Sequence, residues 1–521
     1  MRFLSAGSTP NRLPRGYRRA HACTVVLDAR PARLLRGAIA SAIVTHFDTA
    51  TAAVEAALAA GASYADARLM SRSAERMLAR NGEIADTTRT SDVGIGVRAL
   101  VGSSWGFFAT SDLDGGARRA GEQAAEIAAA SARVPMRAAR MVPAEPVVAS
   151  WSNPVVTDPA DVSESDKADL LVAATSAMRE HGADVATGTL TFWDTSKWFV
   201  SSEGHRIDQR IREAGGGIEA TAVGDGETQR RSYPNSMGGQ LGTRGWELVE
   251  ELDLVGNAPR VAEEARALLT APECPAGVTD VILDGSQVAL QIHESVGHAI
   301  ELDRILGWEA AYAGRSWLDL DRLGSLRYGS DLMSIAIDPT FPGALGSFGY
   351  DDEGTPAAKR MAVDAGTWVG VLAGRDSAAL AGLDYAGSVR SDGWRRLPMV
   401  RMTNVGLEPG PHTLEEIVAA TDDGIYMETN RSWSIDDRRL NFQFGCEIAY
   451  EIKNGKRGRM LKNPTYTGIG PRFWQSMDML SSEIVPWGLG NCGKGQPGQV
   501  GHTAHPAAPA RFRDVRVGVR A

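Results

Sequence analysis

Two histidines and a glutamate in the run HESVGH, residues 293–298, are the residues of this chain whose types and spacing can do chemistry. Imidazoles at His293 and His298 offer two nitrogen donors to a metal ion such as Zn2+, and Glu294 is a carboxylate placed to take a proton from a water beside that ion. The histidines stand five apart, one residue further than the i, i+4 pair common in zinc-binding helices. Each residue of an α-helix turns about 100°, so an i, i+4 pair lies roughly 40° apart around the axis and an i, i+5 pair roughly 140° apart. Two side chains that far round cannot close on one ion. The helix must widen locally, and the spacing predicts a one-turn π-bulge around Gly297, where no side chain resists the distortion.

The elements that must position these groups are legible on either side. Residues 279–283 form an apolar, β-branched run that suits a buried strand, and Asp284 and Gly285 make a turn. Ser286 is a suitable N-cap for a helix whose apolar side carries Val288, Ile292, Val296 and Ile300. Two histidines do not complete a site, because catalytic zinc generally has three protein ligands and an open position. The residues alone leave Glu301, Asp303, Cys446, Cys492 and the His502/His505 pair as candidates for the third.

Around this centre, 521 residues is too long for one compact core and predicts two or three domains. No stretch approaches a membrane-spanning length of apolar sequence, so a soluble protein is expected. The net charge of −9 argues against a nucleic-acid partner held through phosphates. The 4 cysteines, at positions 23, 274, 446 and 492, are too scattered for a disulfide framework and fit a reducing cytoplasm. Residues 1–45 differ in kind: eight arginines, no lysine and the single acid Asp28 give +7, leaving −16 for the remainder. We expect a disordered extension or a misplaced start there rather than a targeting segment, since no apolar run with a small-residue cleavage site follows.

The order of motifs then points to a family. HESVGHAIELDR (residues 293–304), DDEGTP (351–356), LPMVRMTN (397–404), GIY (424–426) and CGKGQ (492–496) occur in sequence, and together resemble the TldD branch of the TldD/PmbA metalloprotease family from residue 47 onward. The resemblance implies a zinc-dependent peptidase acting on unfolded or leader peptides. It implies Cys492 as third ligand, because CGKGQ matches the family's ligand cysteine, and it places Asp352, in the acidic turn, beside the active site. It also implies a dimer, with a PmbA/TldE-like paralogue that lacks the histidines or with a second copy. The alternative reading, a non-catalytic regulatory or assembly subunit, would be expected to lack the histidines that this chain keeps.

The remaining chain supplies scaffold. We expect an α+β architecture: an N-terminal α+β domain (46–140), a central domain (141–272), and a β-rich C-terminal domain (273–521) that carries the metal-binding helix. Helices are predicted at residues 50–60, 116–132, 161–181 and 257–269, with a hairpin turn at Asn81-Gly82 and a linker over 142–159. Residues 102–106, GSSWG, match the GxSxG of serine hydrolases, but apolar alternation on both sides reads as a hairpin, which is no setting for a nucleophilic Ser104. Residues 488–493, GLGNCG, match GxGxxG without a following helix, so a dinucleotide site fails. A glycine-rich loop at Cys492 is instead expected to let its thiolate approach the metal. Glu301 and Asp303 are expected to orient a histidine, and Arg401, Thr403 and Asn404 to lie on a strand whose edge could add an extended peptide.

Overall fold

The computed structural model describes residues 35–134, 138–224, 226–312 and 314–518, with side chains from residue 46 on. Two compact units result, residues 1–44 and 45–521. In the first, residues 35–44 are helical, and residues 1–34, with Cys23, lie outside the described residues. Helix α1 runs Leu35–Ala59 and buries Ala50, Ala53 and Ala57, a stripe at helical spacing. Against it packs α2 (Gly116–Ser131), with Gly121 so close to the Ala53 carbonyl that a Cβ there would collide.

One eight-stranded sheet dominates the first half. Its strands, in spatial order, are Ser104–Thr110 (β3), Glu83–Val101 (β2), Tyr64–Arg80 (β1), Val185–Ser201 (β5), Arg206–Gly224 (β6) and Val148–Ser152 (β4), with two further strands on β6. Strands β1 (Tyr64–Arg80) and β2 (Glu83–Val101) are joined at Asn81 and Gly82, both at positive φ as a tight hairpin turn requires. Ser104 begins β3 (Ser104–Thr110), paired antiparallel with β2, so it sits on a hairpin and on no elbow. Long strands β5 (Val185–Ser201) and β6 (Arg206–Gly224) extend the same sheet across the boundary expected at residue 140. The proline-bearing linker is not wholly irregular: β4 (Val148–Ser152) pairs parallel with β6. Helix α3 (Glu164–Glu180) and the helix Leu254–Leu268 cover one face, where Leu171, Ala174, Val261 and Ala262 pack on Met77, Leu190 and Ile218.

The second half is β-rich, in a seven-stranded sheet. Its strand Gly277–Leu283 lies parallel to Asp423–Ile435 and antiparallel to Ala510–Val517. Asp423–Ile435 also pairs with Asn441–Lys453, so that five strands close into a ring. Beside this ring sit Val288, Ile292 and Val296, in one buried cluster with Phe442, Phe444, Tyr466 and Phe512. Within residues 331–352 only Ile335–Ile337 is a strand, and the rest is irregular chain folded around prolines and glycines. No helix among the described residues is long and apolar enough to cross a membrane.

Candidate metal centre

The strand Gly277–Leu283 delivers the chain directly into helix Gly285–Ile292. The cap is Asp284 rather than Ser286: its carboxylate accepts from the amides of Ser286 (3.0 Å) and Gln287 (3.1 Å), occupying two donors that a helix start leaves free. From His293 to Gly297 the helix widens into a π-turn, closed by the His298 amide on the His293 carbonyl at 3.1 Å. The extra residue brings the two imidazoles to one side, with ring centroids 4.7 Å apart. Ser295 pins the turn from behind. Its hydroxyl donates to the Gln291 carbonyl and accepts from Trp474 Nε1 at 2.9 Å, while the Tyr328 hydroxyl donates to its carbonyl. Gly297 has a role beyond easing the distortion, since a Cβ there would overlap the sulfur of Met402.

Cys492 completes the group. One donor atom each from His293, His298 and Cys492 lies within 4.8 Å of the others, all three residues are buried, and Cys492 Sγ stands 3.8 Å from His298 Nε2. The expected glycine loop is a strand instead. Cys492 sits in Val485–Lys494, paired with Gln499–Ala507, at an irregularity between Leu489 and Cys492 that re-aims the side chain.

The surrounding hydrogen bonds fix which ring nitrogens face the centre. His505 Nδ1 contacts the Val405 carbonyl at 2.7 Å and must carry the proton, so His505 Nε2 accepts from His293 Nδ1 at 2.8 Å. On the other ring, His298 Nδ1 donates to Glu301 at 2.9 Å. Both Nε2 lone pairs are thereby left for a ligand-accepting ion. Burial lowers both histidines to about 4, which keeps them neutral at physiological pH. For Cys492, burial favours the thiol, and the Arg401 guanidinium works the other way, toward the thiolate that binds metal. Two neutral imidazoles and a thiolate are a donor set suited to zinc.

Glu301 and Asp303 do not join the donors. Lys494, two residues beyond Cys492 and on the same side of its strand, ion-pairs with Glu301 at 3.2 Å and Asp303 at 2.8 Å, and Arg304 Nε donates to Glu301 at 2.6 Å. Against the cost of burial, Lys494, His298 and Arg304 hold Glu301 well below the usual carboxylate range, so it stays ionised to orient His298. Glu294 borders a cleft of about 230 Å³ with the three donors, Trp433 and Leu489. Its Oε2 accepts from Arg439 Nη1 at 2.6 Å. Arg439, at φ 62° in the turn between Asp423–Ile435 and Asn441–Lys453, lies in no motif of the sequence. Arg304 and Lys494 lie inside the motifs HESVGHAIELDR and CGKGQ, and His505 stood among the candidate ligands, but the pattern did not mark any of them as a support of the histidines.

Other expected site residues lie elsewhere. Thr403 and Asn404 are fully buried, and Asn404 is spent on Asp338, Ser347 and Gly346, so this segment presents no free sheet edge. Arg401 supports the ligand strand, donating to the carbonyls of Cys492 and of Gln499 (3.2 Å). Asp352 is not beside the metal group: it ion-pairs with Arg68 at 3.1 Å and Lys197 at 2.8 Å on the first sheet. Cys446 is buried in Asn441–Lys453, where burial raises its thiol well above the ordinary value. His502 bonds Glu213 at 2.9 Å.

Comparison with known proteins identifies the family. Residues 65–131, 157–271 and 276–518 match the models for domain 1, the central domain and the C-terminal domain of the PmbA/TldA metallopeptidases. The chain belongs to the PmbA/TldD family. Among PmbA/TldD relatives, a "Metalloprotease" of Methanothermobacter thermautotrophicus is 29% identical over 434 residues, covering 83% of this chain and 90% of that one. A "Metalloprotease TldD homolog" of Buchnera aphidicola subsp. Acyrthosiphon pisum is 26% identical over 440 residues, 83% and 88% of the two chains. The "Zinc metalloprotease TldD homolog" of Saccharolobus solfataricus aligns more narrowly, 24% identical over 210 residues, 40% of this chain and 45% of its own. In fold, TldE from Thermococcus kodakarensis superposes with a TM-score of 0.65 at 14% identity, over 90% of this chain and 100% of that one.

Proposed function

We propose that this chain is a zinc-dependent peptidase of extended or unfolded polypeptides. The convergence of His293, His298 and Cys492 beside Glu294 carries the reading, and the metalloprotease names of its relatives support it. Zinc bound by the three donors would supply Lewis acidity toward the scissile carbonyl and toward water. The chain's own residues do the rest. Arg439 holds one oxygen of Glu294, leaving Oε1 to accept the proton of the attacking water and return it to the leaving amine. Lys494, Glu301 and His505 hold the histidine tautomers throughout. An extended substrate fits the strand Val485–Lys494 better than the buried segment around Arg401: among the described residues that strand has one ladder partner, and past Gly488, whose amide Gln240 takes, its outer edge runs by Cys492. Recognition through backbone would tolerate many sequences and exclude folded proteins.

The decisive experiment measures metal content and cleavage of an unstructured peptide together. One equivalent of zinc, activity removed by a chelator and restored by zinc, and indifference to a fluorophosphonate serine reagent are expected. Labelling of Ser104 with loss of activity would overturn the reading. We further propose a cytoplasmic protein that pairs with a PmbA/TldE-like paralogue or with itself. Light scattering of the chain alone and mixed with such a paralogue tests the pairing, and a fully active monomer would refute it.

A further inference from the structure

A second cavity, of about 60 Å³, lies behind the hairpin that carries Cys492, between it and strands β1, β5 and β6. Four cationic side chains line it: Arg72, Lys197, Arg390 and Arg401. Lys197 is satisfied by Asp352. The three arginines bond only neutral oxygens among the described residues. Arg72 donates to Thr195 Oγ1 and the Asp392 carbonyl, both at 2.9 Å; Arg390 donates to the carbonyls of Met402 and of His502 (2.6 Å); Arg401 holds those of Cys492 and Gln499. Nε of Arg390 and Nε of Arg401 are buried with no partner, and Arg401 is 2% exposed.

The nearby carboxylates, Asp352 and Glu213, act on Arg390 but offset these charges only in part. Glu213 is turned to His502, and Asp392 accepts the Val500 amide at 3.0 Å and faces Arg396. Burial, with Arg401 beside it, pushes Arg390 down to about 10. Buried charges that their neighbours offset only in part are disfavoured and leave room for an anionic partner. A water needs about 10–15 Å³ of such space, so the cavity has room for a few waters or one small anion. Guanidinium groups are the side chains best shaped to hold an oxyanion.

We propose that this cavity binds a small oxyanion, a carboxylate or a phosphate, through Arg72, Arg390 and Arg401. The site also touches the metal centre. Arg401 donates to the carbonyl of Cys492, and Gly501, opposite Cys492 in the ladder, leaves the gap through which the guanidinium closes, since a Cβ there would strike it. A bound anion therefore draws on the residue that props the thiolate's strand. The site stands on its residues and does not depend on the peptidase reading.

Calorimetry on the full chain, with inorganic phosphate as the probe in low-chloride buffer, tests it. Saturable one-to-one binding is expected, weakened tenfold or more by Arg390→Gln and by the half-buried Arg72→Gln, and unchanged by Arg459→Gln on the surface. Thermal melts of each variant report whether it folds, and the Arg72 variant serves if Arg390→Gln does not. A peptide with a free C-terminal carboxylate and the same peptide as its amide separate the two sources. Competition of phosphate with the acid alone assigns the site to a substrate carboxylate, and phosphate binding with neither peptide competing assigns it to a free ion. Absence of saturable binding by phosphate and by the peptide acid, or binding that survives both substitutions, would overturn the proposal.

Discussion

Glu294 and Cys492 divide the work of the centre, and each can be removed without the other. Glutamine at position 294 keeps nearly the same volume and can still meet Arg439, yet accepts no proton. Glu294→Gln should hold a full equivalent of zinc and lose about 10²–10⁴-fold in peptide turnover, read by metal analysis and kinetics on the same sample. Cys492→Ser should do the reverse and retain well under one equivalent at neutral pH, because a hydroxyl is hard to ionise and is the poorer ligand. Cys446→Ser, in a strand away from the three donors, should lose none. Zinc retained by Cys492→Ser and lost on Glu301→Ala would move the third ligand to the carboxylate. Arg439 adds a further test. Truncating it to alanine leaves the base without the cation that holds Oε2, so kcat should fall while zinc content stays, and a change in zinc content alone would contradict that role.

The π-turn is the element on which the spacing depends. Gly297→Ala places a methyl group against Met402, and overpacking of this kind costs about 1–3 kcal/mol. Urea unfolding should show that loss together with weaker zinc retention. In the double variant with Met402→Ala the two losses should combine less than additively, since the second change opens the space that the first one fills. The turn was legible beforehand because five-residue spacing leaves an α-helix no other way to present both rings, and the strand before it and the buried face at Val288, Ile292, Val296 and Ile300 followed from periodicity. Its supports were not legible. Arg439 reaches Glu294 from a turn 145 residues away, and His505 reaches His293 from 212 away, distances over which local pattern carries no information. The same limit hid the setting of Arg401 and Asn404: polar types suggested an exposed edge, whereas Asn404 is spent on Asp338, Gly346 and Ser347 and Arg401 braces the strand of Cys492.

Across the whole molecule, Asp352 ties the acidic turn to the first sheet. Burial works against its charge, yet Lys197 and Arg68 hold the carboxyl well below the usual range. Asp352→Asn strands two buried cations and should cost about 3–5 kcal/mol in chemical denaturation. Asp194→Asn, which breaks an exposed pair with Arg210, should cost at most about 1 kcal/mol. The sign with pH follows from the depressed value: the stabilisation is complete above about pH 4, the unfolded carboxyl's own range, and is lost as pH falls toward the folded value. Stability of the asparagine variant should therefore vary less with acid than that of the parent. The order of the chain also sets a timetable, because the thiol of Cys492 follows His298 by 194 positions. At about 5–20 residues per second, a ribosome takes roughly 10–40 s to cover that interval. Throughout it, a growing chain carries two imidazoles and a base but no thiolate, next to its own unfolded length. On the proposed reading, a peptidase of extended polypeptide is thus unarmed while it is itself extended, and nascent chains stalled before residue 492 should retain no stoichiometric zinc.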